Sequence, residues 1–262
     1  MLSQSRMRLV RSLQQDKVRA QLRLYVVEGD RMVGDYLEAK HPIEQLYVVD
    51  EWWEAQPRSA GANVGEVTRV SRAELGKLSF LATPQNAIAV VPQPGEELYP
   101  SQLLEGLSLG LEAVRDPGNL GSLLRVAAWF GASCVVCSPD CVDPYNPKVV
   151  QATMGAFLHV GVHRVSLPAL LRDVAARELP VYGTVLDGES IYEAELGGHG
   201  IILFGNEARG LSEEVLPFVS RRITIPPWTA PAPGKESLNV AVAAAVVCSE
   251  FRRRGRRDTG RG

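Results

Sequence analysis

The sequence predicts an α/β protein in two parts, a small domain over residues 1–97 and a larger parallel-sheet domain over 98–262. Three observations predict it. Short apolar runs alternate with segments of helical periodicity along the chain. The stretch 92–97, Pro-Gln-Pro-Gly-Glu-Glu, has linker composition and divides that alternation. The strands of the second part are predominantly apolar, as strands covered on both faces are. A chain of 262 residues accommodates two domains of roughly 100–200 residues each.

In the first part, Leu2, Leu9, Val10 and Leu13 fall at loosely helical spacing, with arginines on the other positions. Residues 24–27 read as a strand. Glu28-Gly29-Asp30 then leads into a helix carrying Met32, Val33, Tyr36 and Leu37. Strands follow at 43–49 and 67–70. Ser71 with Glu74 is a capping-box start to a short helix, and 87–91 is the closing strand.

In the second part, strands are expected at 107–114, 134–137, 160–165, 181–186, 201–204 and 223–225. Helices are expected at 119–130, closed by Gly131, and at 148–157, 168–177 and 212–219. The last helix is expected from Ser237. Its residues 240–248 are all Ala, Val or Cys, a narrow surface suited to close packing and too short for a bilayer, which takes ~20 apolar residues.

The formal net charge is −2, which does not advertise nucleic-acid binding. Its distribution says more. Arg6, Arg8, Arg11, Lys17, Arg19, Arg23 and Arg31 crowd one end, and Arg252, Arg253, Arg254, Arg256, Arg257 and Arg261 the other. Two basic ends form a local electrostatic footprint, although a solvated helix face and a tail account for the charge equally well. No apolar secretory signal follows the first basic residues, and four cysteines do not make a disulfide framework. A cytoplasmic location is expected. Cys134, Cys137 and Cys141 have a metal-like spacing, but a strand puts Cys134 and Cys137 on opposite faces, so buried thiols and no metal are expected. His159 and His163 have strand-like rather than ligand-like spacing. Trp52-Trp53 reads as local packing more than as a base-stacking platform.

Chemistry in open α/β sheets gathers beyond the carboxyl ends of strands, and three loops there stand out. In Asp116-Pro117-Gly118-Asn119-Leu120-Gly121-Ser122 the glycines allow close backbone approach and Asn119 can cap a helix. That helix N-terminus suits a phosphate, with Arg125 one turn in to fork onto it. The Lys-Ser/Thr end of a P-loop and the G-x-G-x-x-G spacing are both missing. The second loop, Gly205-Asn206-Glu207-Ala208-Arg209-Gly210-Leu211-Ser212, runs between an apolar strand and a Ser cap. The third is the approach from Ile225 to Ser237-Leu238-Asn239.

Together and in this order, the three stretches resemble the three ordered motifs of the SpoU/TrmH family of RNA 2′-O-ribose methyltransferases. The resemblance covers about 107–253, and the first domain more weakly resembles the ribosomal-protein-like RNA-binding domain attached to such enzymes. It implies a SPOUT fold, a parallel α/β sheet whose C-terminal segment is threaded into a trefoil knot. General topology rules would have argued against a knot. It also implies S-adenosylmethionine as cofactor, a homodimer, and RNA as partner, ribosomal ahead of transfer RNA, with no membrane. Carried over, Gly205, Ile225 and Leu238 would hold the cofactor, and Asn119, Arg125, Glu207, Ser237 and Asn239 would form the reacting site. Pro227 stands where the family usually has Met, Asn206 where Ser is frequent, and the Pro-rich loop 227–235 is longer than usual. Two other readings remain: an RNA-binding protein of this fold without methyl transfer, and a nucleotide-phosphate enzyme built on the Gly118–Gly121 loop.

Overall fold

The computed structural model describes residues 2–57, 59, 61–95, 98, 103, 106–229 and 237–258, with side chains to 255. The chain forms two compact units, Met1–Gly95 with Asp143–Leu158, and Glu96–Val142 with His159–Gly262.

The first unit has strands β1 (Leu24–Glu28), β2 (Ile43–Val48), β3 (Val64–Arg69) and β4 (Ala87–Pro92) in the order β1-β4-β2-β3. β4 is antiparallel to both neighbours, and β2 and β3 are parallel. The helices are α1 (Gln4–Ser12), α2 (Asp16–Leu22), α3 (Asp30–Glu38), α4 (Asp50–Glu54) and α5 (Arg72–Leu78). Successive strand residues point to opposite faces. Tyr25 and Val27 therefore join Met32, Val33 and Tyr36 in one core cluster, while Leu24 and Val26 join Val10, Leu13 and Leu78 in another. The capping box forms as the sequence predicts: Ser71 Oγ accepts from Glu74 N–H at 3.3 Å and the Ser71 N–H donates to Glu74 Oε2 at 3.0 Å. Helices α2 and α4 were not expected. Both are short, and α4 carries Trp52 and Trp53, partly buried against the core.

The segment 143–158 belongs to this unit although it lies between two strands of the other. Its helix α7 (Pro147–Thr153) sends Val150 into the first core cluster. Tyr145 and Phe157 place their rings 4.9 and 5.9 Å from that of Tyr25. Asp143 accepts from Arg19 Nε at 2.6 Å, and the Arg19 guanidinium, 1% exposed, also donates to the carbonyls of Leu13 and Gln14, each at 2.8 Å. Arg19 is thus a buried anchor, not part of an exposed basic face. The helix expected over 148–157 stops early because Met154 and Gly155 both take positive φ, 49° and 86°. The chain then makes only a 3₁₀ turn, Ala156–Leu158.

The second unit has β5 (Leu107–Leu111), β6 (Cys134–Cys137), β7 (Gly161–Arg164), β8 (Val181–Ser190), β9 (Gly200–Phe204) and β10 (Arg221–Thr224) in the order β10-β8-β9-β5-β6-β7. Every pairing is parallel, as predicted. Its helices are α6 (Pro117–Trp129), α8 (Leu167–Ala175) and α9 (Val240–Asp258). The helix expected at 212–219 is only a 3₁₀ turn, Leu216–Phe218; Pro217 there would remove an interior helical hydrogen bond. The four cysteines are buried and form no disulfide. Among the described residues no helix is long and apolar enough to cross a membrane.

Helix α9 is tied down along its length. Arg252 donates to the carbonyls of Phe130 and Gly131, at 2.6 and 2.5 Å, and so closes the C-terminal end of α6. Arg254 donates to the carbonyls of Ala194, Ile191 and Tyr192. Glu250, 6% exposed, accepts from Arg253 and Arg254. Three of the arginines that read as a free basic tail are therefore structural; Arg256 and Arg257 have no described side chain and Arg261 lies outside the described residues.

The hydrogen bonds from Arg253, and then from Arg254, pull the Glu250 carboxyl from an ordinary 4.5 to about 2. A depressed folded-state value stabilises the fold above the unfolded value, and that stabilisation is lost as pH falls through the folded one. Glu250→Gln should therefore melt earlier than the parent at neutral pH. The gap should narrow below 4.5 and close near about 2. A gap that stays constant over that range in thermal melts would show that the ionised form contributes nothing.

Candidate active site

The sheet order reverses at β5: the chain steps outward through β6 and β7, and β9, β8 and β10 lie on the other side. Ligands in open parallel sheets gather at such a point. Leu111 pairs with Phe204, so the carboxyl ends of β5 and β9 are level. The loops that follow them are stitched together. Glu112 N–H donates to the Phe204 carbonyl at 2.9 Å, and the Glu112 carboxylate accepts from Ser212 N–H and Oγ at 2.8 and 2.5 Å. Asn206 Nδ2 donates to the Ala113 carbonyl at 2.9 Å.

The loop after β9 folds back on itself, with Asn206 and Gly210 exchanging backbone hydrogen bonds of 3.0 and 2.8 Å. Gly210 sits at φ 69°. A Cβ on Gly205 would collide with the Gly210 carbonyl and lie 2.5 Å from Leu211 N. Only glycine at 205 permits this closure, which leaves residues 207–210 exposed.

The loop after β5 enters α6 through Asp116, whose Oδ1 accepts the Asn119 N–H at 2.8 Å. Asp116, not Asn119, is the cap. Its exposed carboxylate takes the place at the helix N-terminus where a phosphate would bind, and the like charge repels one. Arg125 is also not one turn in. Its backbone lies about 13 Å along the axis from the cap at 1.5 Å per residue, more than two turns in. Freed from capping, the Asn119 side chain reaches outward. Asn119 Nδ2 donates to Glu207 Oε1 at 2.7 Å, and Asn119 Oδ1 accepts from Asn239 Nδ2 at 2.8 Å.

The last helix starts at Val240 rather than at Ser237, and Asn239 caps it: its Oδ1 accepts from Ala241 N–H at 3.0 Å and Val242 N–H at 3.3 Å. Asn239 therefore spends its oxygen on the cap and its amide on Asn119. With Arg252 closing the far end of α6, the two helices run side by side in the same direction.

The structure thus joins three of the five residues that the resemblance implies for the reacting site, Asn119, Glu207 and Asn239, in one hydrogen-bonded chain. Arg125 is exposed on α6 and has no hydrogen-bond or ion-pair partner among the described residues. Ser237 and Leu238 are exposed just ahead of α9. Gly205 follows β9, while Ile225 follows β10, two strands away, about 10 Å across the sheet. Sequence reasoning missed Glu112, Asp116 and the stitching role of Asn206. A carboxylate directly after a fully buried strand was the available signal for Glu112. Among the described residues no group of three or more His, Cys, Asp or Glu could hold a metal ion.

Comparison with known proteins agrees with this geometry. Residues 106–249 match the SpoU rRNA Methylase family and residues 4–89 the MRM3-like substrate binding domain. The chain is 31% identical to an uncharacterized tRNA/rRNA methyltransferase of Synechocystis, covering 93% of this chain and 89% of that one. It is 28% identical to the 23S rRNA (guanosine(2553)-2′-O)-methyltransferase RlmP of Bacillus subtilis, covering 92% and 94%. Among solved structures, a TrmH-family protein of Porphyromonas gingivalis superposes with a TM-score of 0.86 at 37% identity, covering 97% and 99%. An AdoMet-bound rRNA methyltransferase of Sinorhizobium meliloti superposes with a TM-score of 0.82 at 26% identity, covering 97% of each chain. With the three motif loops meeting at one end of a parallel sheet, these matches establish that the chain belongs to the SpoU rRNA methylase family.

Proposed function

We propose that this protein transfers a methyl group from S-adenosylmethionine to a ribose 2′-hydroxyl of ribosomal RNA. The carrying observation is the hydrogen-bonded chain Asn239–Asn119–Glu207, which ties together the loops after β5 and β9 and the start of α9. The names of the relatives point the same way: RlmP is a 23S rRNA 2′-O-methyltransferase. The residues present fit the cofactor. Gly205 keeps its loop backbone free of side-chain bulk, and Leu238 leaves an apolar side chain 52% exposed, suited to a flat base. With Ile225 these hold the cofactor in our reading.

When bound, the cofactor supplies a methyl group activated on sulfonium. The chain supplies position and a better nucleophile. Asn119, Glu207, Ser237 and Asn239 orient the reacting ribose, whose hydroxyl proton passes to the solvent water that reaches exposed Glu207 and Ser237, and Arg125 binds the adjacent phosphate and stabilises the alkoxide as it develops. A guanidinium is a charge stabiliser rather than a base.

The reading extends to the assembly. The unit that starts with residues 1–97 binds RNA, and residues 98–262 carry out the transfer. The C-terminal part of the second unit forms a trefoil knot in this reading: β10 is an edge strand, whereas Asn239, ahead of α9, hydrogen-bonds Asn119 beyond the middle of the sheet. Two copies pair through α6 and α9, whose Trp129 and Val242 stand 84% and 51% exposed. The location is the cytoplasm. The nucleotide-phosphate alternative is disfavoured by Asp116 at the α6 N-terminus.

Titration calorimetry of the full chain should show S-adenosylmethionine binding without added metal, and sedimentation at micromolar concentration should show a dimer. ATP or NAD binding in its place would support the nucleotide enzyme. Cofactor binding without methyl transfer to any ribosomal RNA would support the non-catalytic RNA binder.

A further inference from the structure

Among the described residues, five other than glycine take positive φ. Four of them stand at or just beyond the end of a helix, where a left-handed residue is an ordinary way to stop: Arg23 after α2, Lys40 after α3, Met154 after α7 and Glu178 after α8. The fifth, Ala113 at φ 53°, follows strand β5 instead. No helix end accounts for it. In the left-handed region an alanine Cβ crowds the following carbonyl oxygen, a strain that glycine does not feel.

Side chains hold this strain in place. The Ala113 N–H donates to Ser138 Oγ at 2.9 Å, and the Val114 N–H to Cys141 Sγ at 3.3 Å. Ser138 and Cys141 are buried and follow β6, the neighbour of β5 in the sheet. The third tie comes from the other side, from the loop after β9. There Asn206 uses both ends of its amide. Its Nδ2 donates to the Ala113 carbonyl at 2.9 Å, and its Oδ1 accepts from Ala208 N–H at 2.9 Å. One side chain therefore holds the kink after β5 and fixes the turn that carries Glu207. Beyond the kink, Asp116 caps α6, and Asn119 in its first turn meets Glu207. The direction in which the chain leaves Ala113 thus sets how Asn119 faces Glu207.

We propose that Asn206 is a positioning residue, which locks the strained kink at Ala113 and so holds Asn119 and Glu207 in register for methyl transfer. The proposal rests on the RNA methyl-transfer reading. Strained backbone persists only where its surroundings over-determine it, and the Asn206 amide is the tie that joins the two loops. A serine at 206 does not replace it. Its hydroxyl still accepts from Ala208 N–H in the same kind of turn, but it is a bond shorter and does not reach the Ala113 carbonyl. The kink is then free to relax, and Asn119 moves with it.

The test compares Asn206→Ser, alone and together with Ala113→Gly, in the full chain. Amide hydrogen exchange over residues 112–116, read by mass spectrometry, follows opening of the kink without any substrate. Single-turnover methylation of in vitro transcribed 23S rRNA, at saturating RNA and cofactor, follows the chemistry. Asn206→Ser should exchange about 3- to 10-fold faster in that segment and lose up to about 10-fold in rate, the shift that one hydrogen bond brings. RNA and cofactor affinities should stay at parent values. Adding Ala113→Gly should recover most of both losses, because glycine keeps the left-handed kink without the tie. A side chain that only stabilises the fold would show no such rescue. Parent-like exchange in Asn206→Ser, or a double variant no better than the single, overturns the lock. Faster exchange with an unchanged rate overturns the positioning role. If the parent methylates no transcript, the functional reading fails, and the exchange measurement decides the lock by itself.

Discussion

Arg125→Ala is expected to slow single-turnover methyl transfer by about 10²–10³, the usual loss when one transition-state donor is removed, while S-adenosylmethionine affinity stays nearly unchanged. The side chain is exposed and makes no hydrogen bond or ion pair among the described residues. Its removal therefore costs the fold little, and a lost rate reports chemistry rather than unfolding. Arg125→Lys should recover little, because an ammonium does not reproduce the planar two-pronged contact. The measurement is the rate at saturating RNA and cofactor. A near-normal rate for Arg125→Ala would place the phosphate contact on another residue.

Asp143→Ala is expected to destabilise the first unit by about 3–5 kcal/mol, the cost of leaving one partner of a buried ion pair uncompensated. Arg19 is 1% exposed, and what remains to it is two backbone carbonyls and the exposed Asp16 carboxylate at 3.9 Å, beyond hydrogen-bond distance. Asp143→Asn should cost less, since an amide oxygen still accepts a hydrogen bond. Replacing both partners, Arg19→Met with Asp143→Leu, should recover most of the loss, because apolar isosteres of a buried pair are often neutral. Urea melts of the single and double variants decide it. Additive losses in the double variant would mean that the two side chains do not act as a pair.

What the sequence could disclose followed the range of the forces involved. The strand at Cys134–Cys137 was legible to the residue because apolar patterning is local. The capping box at Ser71 was legible because both partners lie within one turn. The start of α9 was not, since Ser237 and Asn239 are both good caps and only the reach of Asn239 to Asn119 favours the second. Asp116 and Asn119 posed the same ambiguity, settled by the Asn119–Glu207 contact. Arg19 looked like its basic neighbours because its partner is 124 positions away. The three ordered motifs were legible as residue types. The hydrogen-bonded order Asn239–Asn119–Glu207 needed three dimensions, as did the binding of the tail arginines to carbonyls.

The interleaving of the two units has a consequence for how the protein is made. Chains leave the ribosome from the N-terminus, and domains usually fold as they emerge. Here the first unit cannot finish when Gly95 appears, because its remaining piece, Asp143–Leu158, is still unmade. The roughly fifty residues up to Asp143 take about 2–10 s to synthesise at the usual ~5–20 residues per second. Over that interval the nascent sheet has one side of Tyr25 without its ring partners and Arg19 without Asp143, the nearer of its two carboxylates. Translation speed through the β5–β6 region therefore sets how long an incomplete, sticky intermediate is open to chaperones and to its neighbours on a polysome.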